Sequence, residues 1–109
     1  MGVLDEFFGG LEGFEWDDGN SDKSWHRHAV RQVEAEQTLL NRPLLLALDD
    51  KHSQQEPRFI ALGQTDAQRP LAVVFTVRDT RIRVISARPM TQPERRIYGQ
   101  AQAHPEADS

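Results

Sequence analysis

From Leu44 to Arg88 the chain stops reading with a helical period and breaks into short apolar runs, each bounded by polar or turn-forming residues. Nothing else in the sequence limits the fold as much, because runs of four to eight residues with a period of two suit strands and are too short for most helices. Leu44 to Leu48 is predicted as a strand and Asp49 to Pro57 as a polar loop. Arg58 to Gln64 follows as a strand, turned by Asp66 to Arg69. Leu71 to Arg78 is almost continuously apolar, as a strand covered on both faces requires. Asp79-Thr80 has the length of a tight hairpin turn, although it is not a favoured turn pair, and Arg81 to Arg88 is the last strand.

Helical signals flank this block. Phe14-Glu15-Trp16-Asp17 alternates and reads as a short strand. Asp22 to Ala29 is predicted as a short helix with Trp25 and Ala29 on its buried side, and Gln32 to Leu40 as a second, stopped by Asn41-Arg42-Pro43. Downstream, Thr91-Gln92-Pro93-Glu94 has capping-box spacing, and the helix it starts runs to about Ala103. The expected architecture is α+β: two N-terminal helices, an antiparallel meander of about four strands, and a C-terminal helix. Helices should cover one sheet face and leave the other free to bind. Residues 1–13 are expected to form a flexible or partly ordered arm, 14–103 a single domain, and 104–109 a frayed tail.

A chain of 109 residues supports one core. No apolar run approaches the roughly 20 residues of a membrane helix, and no secretory signal is expected. With no cysteine there is no disulfide framework and no thiolate metal site, and a reducing cytoplasm is the simplest home. The formal charge of −4 hides an uneven distribution. All 13 Lys and Arg lie between Lys23 and Arg96, with only eight of the 17 acids, so the middle of the chain is net +5. Arg outnumbers Lys by 11 to 2, and Arg suits bidentate phosphate contacts. The body is either a polyanion-binding surface or a solvated one with acidic ends.

The last strand carries the strongest candidates. Strict alternation puts Ile82, Val84, Ser86 and Arg88 on one face and Arg81, Arg83, Ile85 and Ala87 on the other. Arg88 and Arg58 stand near strand ends and are either ordinary edge charges or a pair converging on one phosphate, as phosphoryl transfer needs. Arg81 and Arg83, on the opposite face, are scaffold or partner contacts. His28 is the candidate for proton transfer, since its unperturbed pKa lies near neutrality; the alternative is a favourable partner for a helix C-terminus. Lys23 and Arg27, four apart, share a helix face and could bracket a backbone phosphate. His26 and His28 point about 200° apart on a helix, so no metal site is expected.

The order of these residues resembles the BrnT family of type II toxin–antitoxin toxins, over Phe14 to Tyr98. The resemblance is carried by Phe14-Glu15-Trp16-Asp17, Gly19-Asn20-x-x-Lys23, Arg27-His28-x-Val30, Pro43-Leu44-Leu45 and Lys51-His52-Ser53. It continues through Arg58-Phe59-x-Ala61-Leu62-Gly63, Val73-Val74-Phe75-Thr76, Arg81 to Arg88, and Glu94-Arg95-Arg96-x-Tyr98. It departs from the family where Arg27-His28-Ala29 replaces Lys-His-Gly, where Ser24 replaces Asn, and where Arg31 replaces a capping Ser or Thr.

That resemblance implies a RelE-like fold and a translation-inhibiting ribonuclease that cleaves RNA, messenger or ribosome-associated, without a metal or other cofactor. It implies neutralisation by a BrnA-like ribbon-helix-helix antitoxin, with DNA reached only through the antitoxin. The implied catalytic set is His28, Arg58 and Arg88. Lys23 and Trp16 are further positions the resemblance implies, Trp16 being either a base-stacking ring or core, and with Arg27 and Arg83 they make up the candidate RNA contacts. The rival reading is a non-catalytic module that binds an antitoxin and serves autoregulation.

Overall fold

The computed structural model describes residues 8–20, 27–49 and 56–103. In chain order the elements are β1 (Gly13–Glu15), α1 (Gln32–Leu40), β2 (Leu45–Leu48), β3 (Phe59–Gln64), β4 (Pro70–Arg78), β5 (Arg81–Pro89) and α2 (Gln92–Ala103). One sheet holds all five strands in the order β1-β5-β4-β3-β2. Strands β2 to β5 form an antiparallel meander, and β1 joins the outer edge of β5 in parallel.

This corrects the expected RelE-like architecture of two N-terminal helices ahead of a four-stranded antiparallel meander. The sheet has five strands and is mixed, and among the described residues there are two helices, one after the first strand and one at the C-terminal end. The Phe14 segment is legible as a strand, but three residues carry no information about their partner. Its neighbour, through Phe14 opposite Ile82, lies 68 residues away in sequence. Of the helix expected over Asp22 to Ala29, residues 22–26 lie outside the described residues, and Arg27 and His28 are helical.

The core lies between α1 and one face of the sheet. Ala61, Leu71, Val73, Phe75, Ile82, Val84 and Ala87 meet Val30, Ala35, Leu39 and Leu44, all at 4% exposure or less. Burying each large member contributes about 1.5–3 kcal/mol. Helix and sheet approach so closely at Gly63 that an added Cβ would stand 2.7 Å from the Thr38 carbonyl oxygen. Phe8 and Leu11, within the segment read as an arm, pack against this core. The Phe8 ring lies 6.4 Å from that of Phe75.

The β4–β5 register places Phe75 opposite Val84 but Val74 opposite Ser86, leaving Ile85 as an extra residue. Such a bulge reverses side-chain parity beyond it. The alternation Ile82, Val84, Ser86, Arg88 expected from the sequence therefore does not hold. Ile82, Val84 and Ala87 are the buried set. Arg81, Arg83, Ser86 and Arg88 share the opposite face with their partners Arg78, Thr76, Val74 and Ala72.

Helix α2 covers one half of that outer face. Ala72 is fully buried there, and the Tyr98 hydroxyl donates to the Pro43 carbonyl at 2.6 Å. Gln102 donates to Gln64 at 3.3 Å. The half nearer the β4–β5 hairpin lies beyond the reach of α2.

Candidate nucleic-acid interface

The half that α2 leaves uncovered is organised by one row of residues across the sheet. Thr76 pairs with Arg83, which pairs with Glu15 of β1. Extending the β3–β4 register by one residue sets Arg58 opposite Thr76. The Thr76 side chain, fully buried, donates its hydroxyl to the Pro57 carbonyl at 2.6 Å. The Arg58 carbonyl accepts the Asp49 N–H at 2.7 Å. The backbone that carries Arg58 is thus pinned from two sides.

These residues border a cleft of about 180 Å³, with Arg58, Thr76, Arg78, Arg83, Glu56 and Asn20 among its lining. Arg83 donates to Glu15 at 2.8 Å and to both Asp17 oxygens at 2.8 and 3.0 Å. Its hydrogen bonds hold Asp17 below the usual carboxylate range, helped by the Gly19 N–H, and the two acids push the Arg83 pKa further up. Arg78 grips Glu56 with two bonds of 3.2 and 3.0 Å and holds that carboxyl low as well.

Asn20 sets the position of this cluster. It is 6% exposed, and its amide donates to the carbonyls of Glu15 and Val84 at 3.0 and 2.8 Å. Its side-chain oxygen accepts the Asp17 N–H at 2.8 Å. The turn after β1 is thereby fastened beside the bulge, and Asp17 is carried over Arg83.

Arg88 belongs to the same sheet face, four rows from Arg58, about 13 Å along the strands. Its guanidinium makes a bidentate pair with Glu94 at 2.7 and 2.9 Å. That contact, with the Thr91 N–H bond at 2.9 Å, holds the Glu94 pKa down to about 2 despite partial burial.

The other candidates lie elsewhere. The His28 carbonyl is bonded to Arg69, in the β3–β4 turn, at the opposite end of β3 from Arg58 and roughly 20 Å away along the strand. Trp16 is half-buried against the core and donates its ring N–H to Glu36 of α1 at 2.7 Å, on the far side of the sheet from the cleft. Arg27 is exposed, and Lys23 lies outside the described residues. The structure therefore brings Arg58 and Arg83 together, adds Arg88 on the same face, and sets His28 and Trp16 apart from them. Among the described residues no group of three His, Cys, Asp or Glu side chains is arranged to hold a metal.

Sequence reasoning misses Thr76, Arg78, Glu56, Asn20 and Arg69. Thr76 is hidden in an apolar run, and its polarity within that run is the available signal. Asn20 reads from the sequence as a turn residue or helix cap within the Gly19-Asn20-x-x-Lys23 block, with no sign of its bonds to Glu15 and Val84.

A sheet face bearing Arg58, Arg78, Arg81, Arg83 and Arg88 has the chemistry to hold a polyanionic backbone, each guanidinium offering paired donors to a phosphate. The chain belongs to the BrnT family: the family's profile, described as "Ribonuclease toxin, BrnT, of type II toxin-antitoxin system", matches residues 16–94. Comparison with curated proteins gives no match. Membership makes this a chain of a ribonuclease toxin family, with RNA as its substrate and an antitoxin as its partner. The match spans Trp16, His28, Arg58, Arg83 and Arg88, and ends at the Glu94 that grips Arg88. No helix among the described residues is long and apolar enough to cross a membrane.

Proposed function

We propose that the chain is an endoribonuclease acting in the cytoplasm on single-stranded RNA, through attack of a 2′-hydroxyl on the adjacent phosphorus, without a metal. The observation that carries this reading is the sharing of one sheet face by Arg58, Arg83 and Arg88, with no helix among the described residues over the half that holds the first two. In the reaction the 2′-oxygen forms a bond to phosphorus while the bond to the 5′-oxygen breaks. A base takes the 2′-hydroxyl proton, and the leaving oxygen gains one. The products are a 2′,3′-cyclic phosphate and a 5′-hydroxyl. No enzyme nucleophile is required, so orientation, charge neutralisation and proton transfer are the tasks left to the protein.

Arg58 and Arg88 bind different phosphates of one strand, as an offset of about 13 Å along the strands and two strands across favours over a single shared phosphate. Arg83 contacts the same backbone, and Arg27 and Lys23 extend the basic track. His28, held through its carbonyl by Arg69 at the end of the sheet away from Arg58, is the proton-transfer group of this reading. Trp16, already held by Glu36, supports the site from the core side. The partner is a BrnA-like ribbon-helix-helix antitoxin that covers the arginine face and carries the complex to DNA.

The test is incubation of the pure protein with single-stranded RNA and EDTA. Cleavage with cyclic-phosphate ends, lost on Arg58→Ala and on His28→Ala, is the expected result. Cleavage that stops with EDTA and returns with a divalent cation would defeat metal independence. A second reading, a module that only binds its antitoxin, is favoured by the carboxylates on Arg78, Arg83 and Arg88, which leave the face close to neutral. It predicts tight antitoxin binding and intact RNA.

A further inference from the structure

Arg69 is not part of the arginine face, yet it makes the densest set of contacts near His28. One terminal nitrogen donates to the Ala29 carbonyl at 3.0 Å and meets both Glu34 oxygens at 3.4 and 3.2 Å. The other donates to the His28 carbonyl at 3.2 Å. Glu34 also accepts the Arg31 N–H at 3.0 Å, at the start of α1. Burial pushes the Glu34 pKa up, but the Arg31 N–H and Arg69 outweigh it, and the net displacement is downward. One guanidinium therefore ties together the His28–Ala29 backbone, the capping Glu34 and the β3–β4 turn.

The backbone it holds is not in its preferred state. Ala29 has φ of +54°, a left-handed conformation that costs a non-glycine residue roughly 1–2 kcal/mol. Arg31 is extended, so α1 does not continue back to His28. The helical turn at Arg27 and His28 ends before α1 begins, so the placing of His28 depends on how the carbonyls of His28 and Ala29 are held. Only a planar fork with several donors can serve two carbonyls and a carboxylate together; a lysine ammonium is a point charge on a flexible stem.

We propose that Arg69 is a positioning residue for His28: its grip on the His28 and Ala29 carbonyls fixes where the imidazole stands for proton transfer. The proposal rests on the reading of His28 as the proton-transfer group. It makes the β3–β4 turn part of the catalytic apparatus without touching RNA.

The test compares the parent with Arg69→Lys, Arg69→Gln, His28→Ala and the double variant His28→Ala/Arg69→Gln. Four quantities are read: cleavage rate at saturating single-stranded RNA, RNA Kd, melting temperature, and the NMR signal of the His28 ring, identified by its loss in His28→Ala. Arg69→Gln should slow cleavage about 10²-fold, the scale of a misplaced catalytic group, with Kd changed less than about twofold. Arg69→Lys, which keeps the charge and favours a folded protein, should not restore the rate. In the His28→Ala background Arg69→Gln should have no further effect, since the two act as one unit. The ring signal should shift or broaden in both Arg69 variants well below their melting temperatures. An equal loss with and without His28, or a ring signal unmoved in folded Arg69→Lys, overturns the proposal. If His28→Ala cleaves like the parent while the ring signal still moves on Arg69 substitution, the grip stands and the proton-transfer role of His28 falls.

Discussion

The two helices begin with the same device and end up differently anchored. In each, a glutamate three residues beyond the cap folds back onto the backbone N–H of the cap residue: Glu34 to Arg31 and Glu94 to Thr91. Each glutamate also grips an arginine from the sheet or its turns, Glu34 taking Arg69 and Glu94 taking Arg88. At α2 the cap residue is Thr91, whose hydroxyl accepts the Glu94 N–H at 3.3 Å. At α1 the cap is Arg31, and the preceding turn is held in a strained conformation by Arg69. The α2 start is a complete local motif that presents an arginine to the outer face. The α1 start lacks half of that motif and depends on a residue from a distant turn.

Of the changes at the helix starts, Arg88→Ala has the largest expected effect: on the proposed mechanism it takes a phosphate ligand from the outer face and should lower RNA cleavage by about 10²–10³-fold. If cleavage is unchanged, the α2 start is a stability device alone and the two helix starts do not differ in function. A smaller contrast is read in thermal or urea unfolding. Thr91→Ala should cost α2 about 1 kcal/mol, and Ala29→Gly should raise stability by roughly 0.5–1 kcal/mol by relieving the left-handed backbone before α1. A destabilising Ala29→Gly would show that the turn before α1 is not strained.

An effect of similar size is expected in the acid limb of the stability curve. Glu34 and Glu94 both have folded pKa values below the unfolded value of about 4.5, so the stability each supplies is present above that pH and lost as pH falls. For Glu94 the loss extends down through about pH 2. Solvent screening keeps its size to about 1 kcal/mol. Glu94→Gln should therefore flatten the stability curve between about pH 4.5 and 2, an outcome readable in melting temperatures across that window.

Local information is enough for what is local. The spans of β3, β4 and β5 follow from short apolar runs bounded by polar residues, and that of α1 from its stop at Asn41-Arg42-Pro43, although α1 buries Ala35, Thr38 and Leu39 and leaves Val33 and Leu40 exposed. The capping box at Thr91–Glu94 is legible too. The partner of β1 is not, since three residues such as Gly13-Phe14-Glu15 can pair with any strand edge. The bulge is not legible either: Ile85, one more apolar residue in an apolar strand, gives no sign that it is unpaired. Arg58 and Arg88 stand out as chemistry, but whether they meet on one phosphate depends on row spacing, which only the register supplies. Arg69 reads as a turn residue, since its partners His28, Ala29 and Glu34 lie about 35 to 41 positions away.

The extra residue at Ile85 has a meaning beyond this sheet. In an unbroken strand, residues that look the same way are separated by an even number of positions. Arg83 and Arg88 look the same way and are five apart, while Val84 and Ala87, three apart, both face the core. An odd interval between like-facing residues is a parity signature, and other strand sequences can be searched for it directly. Removing Ile85 would swap the sides of everything after it, moving Ala87 to the outer face and turning Arg88 toward the hydrocarbon interior. The strand can keep both its core and its charged surface only with that insertion in place.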